Sequence, residues 1–219
     1  MLRNAIITTV CWDTNTLVTD SKGSLNGTAM IAGVRKLFTP TEDDYWEIMG
    51  VKVLAFGFAG DYDLVPWVKE ALQNNFTHRT RLDNMAEGNF TAIAITEKKE
   101  VWYFGMSRSP KHGTNVHILS PVSGPYATGS GGAVATAVLS IGRTAKEAVK
   151  QAIRLDNHSG GDLQIWEFPG VPDVLSKRPI EPDDQLLFSK AEVREIIDEA
   201  ISKVNKRLEP PTTTEKVEQ

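Results

Sequence analysis

The chain opens with two short runs of β-branched and apolar residues that flank a polar turn. Residues 5–12 are rich in Ile, Val and Thr, residues 13–15 are Asp-Thr-Asn, and residues 16–19 resume the first pattern. Runs of this kind around turn-forming residues predict a β-hairpin. In that hairpin Asp20 would lie close to Thr8, so a hydroxyl would stand beside a carboxylate.

The amino-acid composition excludes several classes of protein. The 219 residues, 41% of them hydrophobic, can bury one substantial core. A net charge of −4 gives no basic face, so we expect no nucleic-acid partner. One cysteine and four scattered histidines lack metal-ligand spacing, so we expect no metal and no cofactor. Neither a signal peptide nor a membrane-spanning run is present, so we expect a cytoplasmic protein without a membrane partner.

The middle of the chain alternates between strand and helix patterns. Apolar residues recur at helical spacing from residue 64 to 72, behind the capping candidates Asp61 and Asp63, and Thr144 with Glu147 has the form of a capping box. Because strands come first and last with helices between them, we predict an α+β fold. The other predicted strands are 51–58, 90–96, 101–106 and 162–168, and the other predicted helices are 133–141 and 144 to about 155.

The C-terminal part differs in character. Residues 169–188 are rich in proline and predict an extended loop, and residues 189–208 carry an apolar stripe that predicts an amphipathic helix. That stripe would pack either on the chain's own core or on another subunit. Residues 209–219 are polar and proline-containing, which is typical of a disordered tail.

Two glycine-flanked serines lie far apart behind the hairpin. Residues 129–132 are Gly-Ser-Gly-Gly, around Ser130, and residues 156–161 are Asp-Asn-His-Ser-Gly-Gly, with Asp156 and Ser159. Each motif alone also fits a helix entry or a turn. Their order after the hairpin makes the combination informative.

These motifs together resemble those of proteasome β-type subunits and their bacterial ring-peptidase relatives, which are N-terminal nucleophile (Ntn) hydrolases. The hairpin is most similar to the short-hairpin proteasome-like proteins common in bacteriophage genomes, for which the compartment would be the host cytoplasm. Lys36 follows Asp20 at the interval that the family uses. The resemblance implies an αββα sandwich of two mainly antiparallel sheets between helix layers, over residues 8–168. It also implies a peptide or protein substrate and a homo-oligomer that can form rings.

The resemblance implies a role for each site residue. The backbone N–H of a glycine after an apolar strand would bind the oxyanion, and an open strand edge would pair with an extended substrate. By this comparison, the nucleophile is Thr8, its partners are Asp20 and Lys36, the oxyanion donor is Gly60, the substrate-pairing position is Ser24, and the supporting hydrogen-bond network is Ser130, Asp156 and Ser159.

The chemistry of a threonine nucleophile also follows from the residue types. A threonine hydroxyl needs a base, and the α-amine of an N-terminal threonine, with a pKa of about 8, can accept its proton. Positive charge on Lys36 would lower that pKa and increase the neutral fraction. Because the amine of Thr8 is free only after cleavage, residues 1–7 are predicted to be a propeptide or leader. Ile7 is bulky and β-branched, which hinders attack on its carbonyl carbon.

Several alternatives stay open at this point. Thr8 could be an ordinary strand residue, and Asp20 with Lys36 a surface ion pair. An alignment to a longer hairpin would place Asn4 at the nucleophile position, and Cys11 is a third candidate that its interior position disfavours. Two functions therefore remain: a threonine peptidase or amidohydrolase, and a catalytically inactive scaffold or partner-binding protein that keeps its leader.

Overall fold

The computed structural model describes residues 5–6, 8–25, 29–31, 33–80, 88–109, 113–118, 121–122 and 124–170. The position of Asn4, the predicted helix 189–208 and the predicted tail 209–219 lie outside these ranges, as does nearly all of the predicted loop 169–188. The domain boundaries drawn from the sequence stay predictions.

The strands and helices predicted from the sequence are present, and the described part of the chain contains further strands that were not predicted. A 3-10 turn at Tyr62–Leu64 precedes the first helix. The strands are β1 (Ala5–Ile6), β2 (Thr9–Trp12), β3 (Thr16–Thr19), β4 (Gly23–Leu25), β5 (Ala29–Ile31), β6 (Leu37–Phe38), β7 (Glu47–Ile48), β8 (Val51–Asp61), β9 (Phe90–Thr96), β10 (Val101–Ser109), β11 (Gly113–Ile118), β12 (Tyr126–Gly129) and β13 (Gln164–Glu167). The helices are α1 (Val65–Gln73), α2 (Gly132–Ser140) and α3 (Ala145–Leu155). The strands that were not predicted are β4 to β7, β11 and β12.

The predicted opening hairpin is confirmed as β2 and β3, which pair antiparallel with Cys11 opposite Val18. The side chain of Asp13 closes its turn, because Oδ1 accepts the backbone N–H groups of Asn15 at 3.1 Å and Thr16 at 2.8 Å. This is the local chemistry that favours Asp at a turn. The turn therefore fixes the register that brings Thr8 towards Asp20.

Two main antiparallel sheets organise the described strands. The hairpin lies at the centre of a four-stranded sheet with the order β12-β2-β3-β13. The other main sheet follows the order β1-β8-β9-β10-β11, and the short strands β6 and β7 also pair with β8. β4 and β5 form a separate pair. The predicted α+β class with two antiparallel sheets is confirmed.

The two main sheets share an apolar cluster. Buried side chains of the hairpin, among them Val10 and Leu17, belong to one cluster with Ile93 and Ile95 of β9. A Cβ on Gly57 of β8 would collide with the side chain of Val10, so glycine allows the sheets to approach closely here. Burial of this shared face holds the hairpin, and hence the candidate site, against β8.

The helices pack on the sheets at their other faces. α2 and α3 contact each other and strand β2, and α1 contacts β7 and β8. Val68 and Leu72 of α1 are buried in a second apolar cluster together with Phe56 and Phe58 of β8. None of the helices in the described ranges is long and apolar enough to cross a membrane.

The capping predictions had different outcomes. Thr144 and Glu147 form the predicted capping box at the start of α3. The prediction that Asp61 and Asp63 cap α1 is wrong, because β8 continues to Asp61 and the helix begins only after the 3-10 turn, with Leu64 at its N-cap position and no side-chain cap. The Oδ2 atom of Asp61 instead accepts the backbone N–H of Asn89 at 2.7 Å.

Candidate active site

Three polar side chains meet at the open end of the hairpin: Thr8, Asp20 and Lys36, hereafter the inner cluster. The Thr8 hydroxyl donates to Oδ1 of Asp20. The Nζ atom of Lys36 donates to Oγ1 of Thr8 at 2.5 Å and to Oδ1 of Asp20 at 3.0 Å. All three residues are fully buried. The hydroxyl thus lies between a carboxylate and an amine, away from water.

Backbone N–H groups of the hairpin and of a loop distant in sequence together bind the Asp20 carboxylate. Its Oδ1 atom accepts the backbone N–H of Thr9 at 3.0 Å, and its Oδ2 atom accepts the backbone N–H of Gly160 at 2.8 Å. With the donors of Thr8 and Lys36, four groups therefore bind this one carboxylate. Such charge-assisted hydrogen bonds compensate for the burial of the charge.

Lys36 lies immediately before β6. Its carbonyl oxygen accepts the backbone N–H of Phe58 at 2.9 Å, and its Nζ atom also donates to the carbonyl oxygen of Lys22. Burial lowers the pKa of Lys36 to about 8, although the negative charge and hydrogen bond of Asp20 raise it. The Lys36 amine therefore loses its proton closer to neutral pH than an ordinary lysine does.

A second group of polar side chains lies closer to the surface: Ser130, Asp156 and Ser159, hereafter the outer cluster. The Oδ2 atom of Asp156 accepts hydroxyl hydrogen bonds from Ser130 at 2.6 Å and from Ser159 at 2.8 Å. Partial burial raises the pKa of Asp156, but these two hydroxyl donors and the backbone N–H of His158 outweigh it, so the pKa lies below its usual range.

Thr9 links the two clusters. Its backbone N–H donates to Asp20 of the inner cluster, and its hydroxyl pairs with Oγ of Ser159 at 2.7 Å. The backbone N–H of Ser130 also donates to the carbonyl oxygen of Thr8 at 2.8 Å. Adjacent residues of extended backbone point to opposite faces, so the side chain of Thr9 reaches the outer cluster while that of Thr8 lies in the inner cluster.

Gly60 lies near the end of β8, the strand that binds the carbonyl oxygen of Lys36. N–H groups alternate between the two edges of a strand, and that of Phe58 points towards Lys36 whereas that of Asp61 donates to Asn89 on the β9 side. By this alternation we expect the N–H of Gly60 at the edge that carries Lys36. Strand β1 pairs with this same edge, with Ile6 opposite Gly60.

The remaining sequence candidates have clear positions. Ser24 lies in β4, opposite Met30 of β5.

Cys11 is fully buried. This burial, and to a smaller extent the nearby charge of Asp13, raises the pKa of its thiol well above the usual value. A thiol that ionises so poorly is a weak nucleophile. Within the described ranges, no three His, Cys, Asp or Glu side chains are grouped so that they could hold a metal ion.

No protein-family model matches the chain, and no curated protein sequence matches it. Solved structures of Anbu proteins do match it. The Anbu complex from Pseudomonas aeruginosa, described as a helical assembly, is 12% identical with a TM-score of 0.45, over 94% of this chain and 98% of that one. Anbu (ancestral beta-subunit) from Yersinia bercovieri is 10% identical with a TM-score of 0.42, over 93% and 97%. Anbu from Hyphomicrobium sp. strain MC1 is 9% identical with a TM-score of 0.42, over 94% and 99%.

These matches correct one prediction from the sequence. The prediction that the hairpin is most similar to short-hairpin proteins of bacteriophage genomes is wrong, because the matching structures reported above are Anbu proteins.

Proposed function

We propose that this protein is a proteasome-like threonine peptidase or amidohydrolase of the Ntn type, with Thr8 as its nucleophile once residues 1–7 are removed. The observation that carries the proposal is the position of the Thr8 hydroxyl, between the Asp20 carboxylate and the Lys36 amine in a fully buried cluster. A threonine with only a structural role needs neither a carboxylate nor an amine bound to its hydroxyl.

Lys36 can serve as the base before cleavage, when Thr8 has no free amine. With a pKa of about 8, a sizeable fraction of Lys36 is neutral near neutral pH and can accept the proton of Thr8 Oγ1. The oxygen then attacks the carbonyl carbon of Ile7, and the bond from that carbon to the Thr8 nitrogen breaks as the nitrogen takes a proton. Water hydrolyses the resulting ester, which releases residues 1–7 and leaves Thr8 with a free α-amine.

The same groups serve a second reaction after cleavage. The α-amine of Thr8 adds a second base with a pKa of about 8, and the hydroxyl attacks the carbonyl carbon of a peptide or amide substrate. The backbone N–H of Gly60, directed towards this edge, would stabilise the oxyanion, a contribution of about 3 kcal/mol at such sites. Water then hydrolyses the acyl-enzyme ester.

The proposal includes the fold and the partners that the family resemblance implies. An Ntn-type αββα sandwich is supported by two facing sheets with α1 on the far side of one and α2 and α3 on the far side of the other. An extended peptide or protein substrate would pair with the strand edges at β4 and at the end of β8.

The proposal also includes assembly into a cytoplasmic homo-oligomer. Light scattering after size-exclusion chromatography measures the molar mass of the assembly and so tests this part.

The intact mass of the purified protein tests the nucleophile. We expect a species without residues 1–7 in the wild type and the full-length mass in Thr8→Ala. Thr8→Ser is the matched control, since it keeps the hydroxyl and should still be cleaved. Wild-type protein that keeps residues 1–7 after prolonged incubation at pH 8 would contradict the proposal.

A second candidate function is a non-catalytic scaffold that keeps its leader. It is favoured by the antiparallel pairing of β1 with the end of β8 and by the complete burial of Thr8, because a buried hydroxyl cannot meet an external substrate. Full-length mass in both the wild type and Thr8→Ser would support this function.

A further inference from the structure

The segment that carries Lys36 is held by the side chain of one residue far along the chain. The Oε1 atom of Gln164 accepts the backbone N–H groups of Lys36 at 2.8 Å and of Leu37 at 3.1 Å. Its Nε2 atom donates to the carbonyl oxygen of Val34 at 2.6 Å. The amide of Gln164 thus provides the hydrogen bonds that a neighbouring strand would otherwise supply.

These three bonds determine how the amide is oriented. Two backbone N–H groups require the oxygen on one side, and one carbonyl requires the NH₂ group on the other. Only a side chain with both an acceptor and a donor at this length satisfies all three backbone groups. Glutamate keeps the acceptor and loses the donor, whereas methionine has about the same length and offers neither.

Gln164 is itself fixed to the strand that carries Asp20. It lies in β13, directly opposite Thr19 of β3, and Asp20 follows Thr19. Lys36 is also bound to β8, because its carbonyl oxygen accepts the backbone N–H of Phe58. The Gln164 amide therefore connects the backbone of Lys36 to the sheet whose strands β2 and β3 adjoin its partners Thr8 and Asp20.

We propose that Gln164 is a positioning residue that sets the placement of the Lys36 amine against Thr8 and Asp20. The residue touches none of the reacting atoms and acts through the backbone of residues 34–37. The role in catalysis rests on the proposed function, but the placement of Lys36 can be measured without any cleavage.

The charged groups around Lys36 define what such a measurement reports. Asp20 follows β3 and raises the pKa of Lys36, whereas Lys22, in the segment after it, lowers that pKa. Burial is the largest influence, and together with the charge of Lys22 it outweighs Asp20. If the segment loosens, water reaches the amine and the pKa rises towards the ordinary lysine value. A displaced Lys36 is thus detected by its titration.

The test compares Gln164→Met with Gln73→Met. Gln73 is the matched control, because its Nε2 atom donates to Asp44 on an exposed surface of the molecule. First, in a Thr8→Ala background, which keeps the chain uncleaved, the Cε signal of Lys36 is titrated by NMR. We expect Gln164→Met to raise the titration midpoint by about one pKa unit and Gln73→Met to leave it unchanged.

Second, the rate of self-cleavage is followed by mass spectrometry with Thr8 present. We expect Gln164→Met to lower it at least about tenfold at pH 7.5, since small displacements of catalytic groups have effects of this size. We expect Gln164→Glu to lower it less, because two of the three backbone bonds remain. Gln73→Met should not change the rate.

The outcomes separate this inference from the proposed function. An unchanged Lys36 midpoint in folded Gln164→Met overturns the positioning role. If Gln164→Met does not fold, Gln164→Glu decides, and wild-type values for both its midpoint and its rate overturn the role. A wild type that does not cleave itself, with a raised Lys36 midpoint in Gln164→Met, overturns the proposed function and supports the positioning of Lys36.

Discussion

The inner and outer clusters lie on opposite sides of Thr9 and contain similar chemical groups, yet their environments differ. Asp20 of the inner cluster is fully buried, and its Oδ1 atom accepts a hydrogen bond from the Lys36 amine. Asp156 of the outer cluster is partly exposed and is bound by two hydroxyls and a backbone N–H. The two clusters therefore differ in what burial does. In the inner cluster burial lowers the pKa of Lys36, whereas in the outer cluster the Asp156 carboxylate holds the hydroxyls of Ser130 and Ser159 in place.

The largest expected effect is that of Lys36→Met. The variant leaves the buried charge of Asp20 without its ionic partner, so we expect the free energy of unfolding to fall by about 3–5 kcal/mol. We also expect no self-cleavage, because the base is lost. Urea unfolding and intact mass measure the two effects.

Lys146→Met is the matched control for that experiment. Lys146 pairs with Glu167 at 3.1 Å, but both side chains are exposed. Such surface pairs contribute about 1 kcal/mol or less. Equal losses of stability in the two variants would show that burial does not distinguish the inner pair.

The second prediction concerns the link between the clusters. A Cβ at Gly131 would collide with the Thr9 hydroxyl and lie 2.8 Å from Cβ of Ala152 and 3.0 Å from Oγ of Ser159. We expect Gly131→Ala to lower the free energy of unfolding by about 1–3 kcal/mol.

Gly132→Ala provides the comparison within the same motif. Its Cβ would lie 3.7 Å from the backbone of Ala127, an ordinary contact, in the first position of α2. Alanine there should be neutral or slightly stabilising. Thermal unfolding of the two variants measures the difference, and a Gly131→Ala protein as stable as Gly132→Ala would argue against tight packing around Thr9.

The third prediction is a pH dependence that belongs to the inner cluster alone. In the proposed mechanism the neutral form of Lys36 is the base. Because the pKa of Lys36 is about 8, the rate of self-cleavage should rise about tenfold per pH unit below pH 8 and level off above it. The rate is measured by refolding the uncleaved chain at pH 6–10 and sampling its mass. A rate that does not change between pH 6 and pH 8 would exclude Lys36 as the base.

The smallest expected effect is that of Ser130→Ala in the outer cluster. Asp156 loses one hydroxyl donor, so its pKa should rise and the free energy of unfolding should fall by about 1 kcal/mol or less. Carboxyl carbon NMR titration reports the pKa. Since Ser130 binds the Thr8 carbonyl through its backbone, that contact should persist. A lowered pKa of Asp156 would contradict the geometry of this cluster.

Much of the fold could be predicted from local patterns. The hairpin follows from Asp13 in its turn, and the start of α3 follows from Thr144 and Glu147, since these residues act on backbone groups three or fewer positions away. The start of α1 could not be predicted in this way. Asp61 has the residue type of a helix cap, but pairing with neighbouring strands extends β8 through it.

The candidate site could be predicted in part. Motif order pointed to Thr8, Asp20 and Lys36, which the fold brings into contact. No sequence pattern indicated a role for Gln164, because its side chain binds the backbone of a segment 128 residues away. Backbone groups carry no residue identity, so nothing at positions 34–37 indicates which side chain will bind them.

The sequence by itself predicted the hairpin, the longer strands and the three helices, and it supplied the residue types of the candidate site, because turn chemistry, capping and apolar periodicity act over a few residues. Only the tertiary structure decided that Lys36 is buried and that Thr9 joins two carboxylate clusters. The lowered pKa of Lys36 depends on the removal of water by segments distant in the chain. Such burial arises only when the sheets pack together.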